Sequence, residues 1–163
     1  TKIDAVALGA DGKQLFRQRT PSPRSDYTAT LESIRCLLDS VEKRAVQIEK
    51  PEKPATIGVG IPGTISPESG LVKNANSTWL IGHPLDQDLA DILARPVKVA
   101  NDANCFALSE AVDGAGRGFD TVFGVILGTG IQRLINLYGI KIGKTAVVAT
   151  NNIHGYYVDR SHR

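Results

Sequence analysis

Methionine is absent from these 163 residues, cysteine occurs only twice, and aromatic residues make up 6%. The two cysteines, Cys36 and Cys105, lie far apart and form no Cys-x-x-Cys pair. That excludes a disulfide framework or a cysteine-rich zinc module and suits a reducing cytoplasm. No apolar run approaches the roughly 20 residues that span a bilayer, so no membrane partner is expected. The N-terminus lacks the apolar core of a secretory signal. Charge of one sign is also lacking: 19 Lys and Arg face 17 Asp and Glu, for a net charge of +2. Such a balance gives no warrant for a nucleic-acid partner. The chain starts at Thr1 and holds no Met, so processing or truncation is expected to have removed the start. What is present is 42% hydrophobic and 22% charged, with 16 glycines. This is the balance of a globular domain with a real core, too short for two large lobes.

The chain reads as alternating elements. Ile3 to Leu8 and Gln14 to Arg19 flank Asp11-Gly12 and predict a hairpin. Pro21 and Pro23 break regular structure, and Ser25 and Asp26 are N-cap residues. Leu31, Ile34, Leu38, Val41 and Ala45 recur at helical steps and predict an amphipathic helix over 27–45. A charged surface loop follows from Ile48 to Pro54. Ala55 to Ile61 predicts a buried strand, Asp86 to Ala94 a short helix, and Val97 to Ala100 a strand. Asn104 to Val112 predicts a helix closed by Gly114 to Gly118, and Thr121 to Leu127 a last strand. The order implies an α/β layer with strands buried between helices. Further on, Leu134, Ile135 and Leu137 suggest a continuing strand and Ala146 to Ala149 another. Asn151 to Arg163 has no clear period, as a disordered end would.

In open α/β sheets ligands collect at the carboxyl ends of strands. Three predicted strands end in Pro62-Gly63, Asn101-Asp102 and Gly128-Thr129-Gly130, and strand ends on one edge would form one cleft. Gly128-Thr129-Gly130 reads either as a backbone cradle for phosphate oxygens or as a plain strand exit. Asp102 reads either as a base accepting a proton from a substrate hydroxyl or as a helix N-cap. Asn101 offers both ends of its amide to a ligand, or serves as a turn residue. Asn74, Asn76, Ser77 and Thr78 form a string that suits sugar hydroxyls or a polar loop, and Trp79 reads as a core or rim residue. Gly139 to Thr145 imitates a Walker A motif but has three residues between its glycines where four are needed. His83, His154 and His162 show no metal-ligand spacing.

Val59-Gly60-Ile61-Pro62-Gly63, Lys73-Asn74-Ala75-Asn76-Ser77-Thr78-Trp79, Ala100-Asn101-Asp102-Ala103-Asn104-Cys105 and Ile126-Leu127-Gly128-Thr129-Gly130 occur in this order. Together they resemble the ROK family of repressors and sugar kinases, with fructokinase and mannokinase the nearest likeness and N-acetylglucosamine kinase next. The likeness runs over residues 1–130, an N-terminal lobe without its first strand, and leaves 131–163 as a divergent tail. It implies an actin-like ATPase fold with a ribonuclease-H-like sheet, truncated here to its N-terminal domain. It implies transfer of the ATP γ-phosphoryl group to a hexose hydroxyl, with Mg²⁺, to give fructose or mannose 6-phosphate. Asp102 matches the family's catalytic base, and Gly63, Asn76 and Asn101 match residues that hold the sugar. Gly128, Thr129 and Gly130 match a phosphate-binding turn, and Thr1-Lys2 resembles the tail of Asp-x-Gly-Gly-Thr-Lys.

The departures are the missing start of that motif, Ile131-Gln132-Arg133 where more glycines belong, and no counterpart of the family's zinc-binding cysteines. The C-terminal lobe is largely missing, so little or no activity is expected of this chain alone. In such a fold the first strand lies inside the sheet, and its loss leaves neighbouring strands without a partner. A homodimer accords with the family. The alternatives are a sugar-sensing repressor of the same family, which needs a DNA-binding segment before Thr1, and a non-catalytic sugar-binding fragment.

Overall fold

The structure, a computed structural model, describes residues 2–51, 53–122, 124–126 and 147–149. The chain divides into two compact units, residues 1–100 and 101–163.

The first unit opens with strands β1 (Lys2–Leu8) and β2 (Gln14–Pro21), paired antiparallel as the Asp-Gly turn predicts. The turn closes because Gly12 takes φ +78°, where a side chain is strained, and because Asp11 Oδ1 accepts the Lys13 N–H at 3.0 Å. Side chains alternate between the two faces, and helix α1 (Tyr27–Ile48) packs against both strands. Ser40 on α1 donates to Gln18 Oε1 on β2 at 2.8 Å. On the opposite face Asp4 accepts from Arg17 and Arg19, and Arg17 holds the Asp4 carboxyl down to about pH 2.

Asp26 caps α1, its carboxylate accepting the Ala29 N–H at 2.8 Å. The helix runs three residues past the expected Ala45. It stops before Lys50, whose helical conformation the following Pro51 disfavours.

Strand β3 (Ile57–Ile61) pairs with β6 (Val97–Asn101). The expectation of strands buried between helices is corrected here. Ile57 and Ile61 are buried, whereas Gly58 and Gly60 are exposed and bring no side chain to the outer face. A two-residue ribbon of β4 (Thr64–Ile65) and β5 (Val72–Lys73), which the sequence reading does not contain, lies between them in the chain. A 3-10 turn (Thr78–Leu80) and helix α2 (Leu85–Leu93) follow. Among the described residues β1 pairs with no strand besides β2, and β3 with none besides β6.

Ile61, Val72, Ala75, Leu80, Leu85 and Leu89 form the core of this unit, with Leu31, Ile34, Val59, Trp79, Val97 and Val99 packed on it. Burying a leucine such as Leu89, fully covered here, stabilises by about 1.5–3 kcal/mol.

In the second unit α3 (Asp102–Val112) lies against β7 (Gly124–Ile126), which pairs in parallel with β8 (Val147–Ala149). A Cβ at Gly124 would sit 3.1 Å from Ala107 Cβ and 3.2 Å from Phe106 Cδ1, so the missing side chain lets helix and strand approach closely. The last predicted strand is shorter than expected at its start, and Leu127 lies outside the described residues. So do the Walker-like stretch, the suggested strand at 134–137 and the polar end at 151–163. Among the described residues no helix is long and apolar enough to cross a membrane.

Candidate functional site

The polar strand end at Pro62-Gly63 is built by the small β4–β5 ribbon. Thr64 pairs with Lys73 and Ile65 with Val72, so the chain leaving β5 returns beside the chain leaving β3. The Asn76 N–H donates to the Pro62 carbonyl at 3.1 Å. Ala75 is buried, and its Cβ would stand 2.9 Å from a Cβ placed on Gly63, closer than carbon atoms pack. The Lys73 carbonyl would stand at 3.0 Å. Residue 63 therefore has to be glycine for this approach, which the sequence alone does not reveal. Asn74 makes the turn between β5 and Ala75 in the left-handed region, φ +56°, which asparagine tolerates better than most residues. The outcome is an exposed Asn76 side chain on a backbone pinned from two directions. Gly63 and Asn76, chosen separately from the sequence, are thus brought together.

Trp79 follows three residues later, in the 3-10 turn. It packs on the core, and its indole Nε1–H donates to Thr30 Oγ1 on α1 at 3.0 Å. The core alternative for Trp79 is the one observed. Thr30 is missed by the sequence reading; the available signal was a hydroxyl four residues after the cap Asp26, on the buried stripe of α1.

At the other strand end the roles divide between neighbours. Asn101, the last residue of β6, is the N-cap of α3, its Oδ1 accepting the Asn104 N–H at 3.2 Å. The capping alternative weighed for Asp102 therefore goes to Asn101. Asp102 occupies the first helical position, exposed, with Oδ1 accepting the Ala103 N–H at 2.8 Å. A carboxylate in the first turn lies at the positive end of the helix dipole. The helix starts two residues before the expected Asn104 because the Asn101 cap sets its first turn.

Lys2 begins β1 with its side chain exposed, while Thr1, Gly128, Thr129 and Gly130 lie outside the described residues. Among the described residues no group of three His, Cys, Asp or Glu side chains can hold a metal ion. Cys36 and Cys105 are both exposed and unpaired, and the Glu32 carboxylate beside Cys36 raises its thiol above the ordinary value.

The ROK family model matches residues 1–149. N-acetyl-D-glucosamine kinase of Yersinia pestis bv. Antiqua (strain Nepal516) is 35% identical over 158 residues, 96% of this chain and 57% of that protein. The enzyme of the same name from Haemophilus influenzae (strain 86-028NP) is 35% identical over 130 residues, 80% of this chain and 41% of that protein. Among solved structures, a ROK family glucokinase from Streptomyces griseus, in complex with glucose and AMPPNP, aligns with a TM-score of 0.65 and 26% identity. It covers 79% of this chain and 39% of that one. An inorganic polyphosphate/ATP-glucomannokinase from Arthrobacter sp. strain KM aligns with a TM-score of 0.60 and 32% identity, covering 79% and 51%. The chain spans about half the length of the curated relatives it matches. The fold is the α/β, actin-like ATPase fold of these sugar kinases, of which the chain covers the N-terminal part.

Proposed function

Since the chain belongs to the ROK family, we propose that it serves ATP-dependent phosphorylation of a hexose hydroxyl, with Asp102 as the general base. The observation that carries this reading is the division of labour at the start of α3. Asn101 caps the helix, and the exposed Asp102 carboxylate stands at the strand tip. A carboxylate so placed accepts the proton of the attacking hydroxyl as its oxygen bonds to the γ-phosphorus. The bond from that phosphorus to the bridging oxygen breaks, and ADP leaves.

Asn76 and Asn101 supply amides that both donate and accept, which suits hydroxyls that do the same. Gly63 keeps the Asn76 backbone in place and leaves room at the strand end. Lys2, with Thr1 and residues 128–130, is assigned to the nucleotide phosphates. Mg²⁺ brought in with the nucleotide would supply charge neutralisation during transfer.

The named relatives favour N-acetylglucosamine or glucose as the acceptor, and the motif likeness adds fructose and mannose. A coupled ADP-release assay over these four sugars tests the reading. In a full-length protein that carries this segment, turnover with one of them, abolished in Asp102→Asn while sugar binding persists, is the expected result. A fully active Asp102→Asn protein removes the base assignment.

A further inference from the structure

The loop that presents Asn76 has a third anchor besides the Pro62 carbonyl and the Gly63–Ala75 approach, and it comes from a distant part of the chain. Thr30 is 5% exposed in the second turn of α1. Its hydroxyl donates to the Asp26 carbonyl at 2.6 Å, which spends its one proton and turns a lone pair outward. That lone pair accepts the Trp79 indole N–H at 3.0 Å. Trp79 sits in the tight turn whose Leu80 N–H bonds to Ser77 O at 3.0 Å and whose Ile81 N–H bonds to Thr78 O at 3.1 Å. These two bonds hold Trp79 in one turn with Ser77 and Thr78, so the place of the indole bears on the place of the residues just before it. An indole N–H is a donor only, and in this half-buried place it has this one protein partner among the hydrogen bonds described.

We propose that Thr30 is a positioning residue for the hexose loop. By holding the Trp79 indole it fixes where the 75–78 segment, and with it Asn76, stands on the core. The inference rests on the reading of Asn76 as a sugar contact. It adds that α1, which bears no sugar-binding residue in that reading, tunes sugar affinity through one hydroxyl.

Three variants test it in the full chain. Thr30→Val keeps the shape and removes the acceptor. Thr30→Ser restores the hydroxyl. Trp79→Phe removes the donor and keeps an aromatic ring. Two quantities are measured: hydrogen exchange of the Asn76 amide without sugar, and Kd for N-acetylglucosamine, glucose, fructose and mannose by calorimetry. In Thr30→Val, Asn76 exchange and the sugar Kd each rise about tenfold, while α2 amides exchange as before. Thr30→Ser stays within about threefold of wild type, and Trp79→Phe reproduces the faster exchange.

Wild-type exchange at Asn76 in both Thr30→Val and Trp79→Phe overturns the clasp. Faster exchange with unchanged Kd overturns the positioning role. Wild-type protein that binds none of the four sugars overturns the hexose reading and this role with it. That failure is told apart from failure of the clasp because Asn76 exchange still responds to Thr30→Val.

Discussion

Asn101 and Asp102 are adjacent in sequence, yet the structure gives them separable duties. Asn101 spends an amide oxygen on the Asn104 N–H, and replacing a cap residue by alanine costs about 0.5–2 kcal/mol. Asn101→Asp keeps an oxygen for the cap and loses the amide N–H₂. It is expected to leave thermal stability near wild type and to weaken hexose binding about tenfold or more; unchanged binding would take Asn101 out of the sugar site. Gly63 behaves oppositely, because its role is space. Gly63→Ala drives a methyl into Ala75 and the Lys73 carbonyl, and overpacking of this kind costs about 1–3 kcal/mol. Chemical denaturation should read that loss, and a neutral Gly63→Ala would mean that the two strand ends part freely. Types and positions of these residues were legible in the sequence, since asparagine, aspartate and glycine at strand ends are chemically suggestive. The close approach of 63 and 75 was not legible, because it depends on two chain segments meeting through a ribbon only two residues per strand, too short to leave a period.

Among the elements, α1 does the most binding together, and its contacts explain why helix and hairpin were easier to read than what joins them. Alternation and the Asp-Gly turn mark β1 and β2, and helical steps mark α1. The joints are single polar pairs with no pattern of their own. Tyr27 at the start of α1 stacks on His83, ring centroids 3.8 Å apart, and its hydroxyl donates to Asp88 on α2 at 2.6 Å. Burial and the Asp88 carboxylate both push the Tyr27 phenol above its ordinary pKa. A hydrogen bond to a charged group contributes about 1.5–3 kcal/mol, so Tyr27→Phe should lower unfolding free energy by about that much. A smaller change than about 0.5 kcal/mol would mean that the Tyr27 hydroxyl adds little to the join between α1 and α2. On the hairpin the pH dependence has a definite sign. Asp4, with its pKa lowered to about 2 by Arg17 first and Arg19 as well, contributes stability that is present above the ordinary carboxylate pKa near 3.8. The contribution is lost as pH falls toward 2. Asp4→Asn should flatten the acid limb of a stability-against-pH curve; an unaltered limb would place the acid sensitivity elsewhere, for example at Glu32 beside Arg35, whose pKa is also lowered to about 2.

At the scale of the whole molecule, the buried apolar side chains among the described residues concentrate in residues 1–100. Leu85 and Leu89 on α2 are 1% and 0% exposed, whereas α3 has no buried residue and shows Leu108 at 66% and Val112 at 64%. Composition could not reveal this contrast, because both helices carry leucine and a β-branched aliphatic residue, Ile92 in α2 and Val112 in α3, and only packing decides which are covered. Stability should follow the packing: regions with few buried contacts open at lower free energy than the core. Native-state hydrogen exchange on the full chain is therefore expected to find α2 amides protected at least about tenfold more than α3 amides, a gap of roughly 1.4 kcal/mol or more. Leu89→Ala sharpens the test. Truncating a fully buried leucine costs about 2–5 kcal/mol, and that loss should appear together in the amides of β3, the 3-10 turn and α2, since their side chains share one core. Leu108→Ala, on an exposed face, should change stability by less than about 0.5 kcal/mol. If Leu108→Ala instead destabilised the chain as strongly as Leu89→Ala, the exposed face of α3 would have to be covered in solution, and the concentration of stability in residues 1–100 would be wrong.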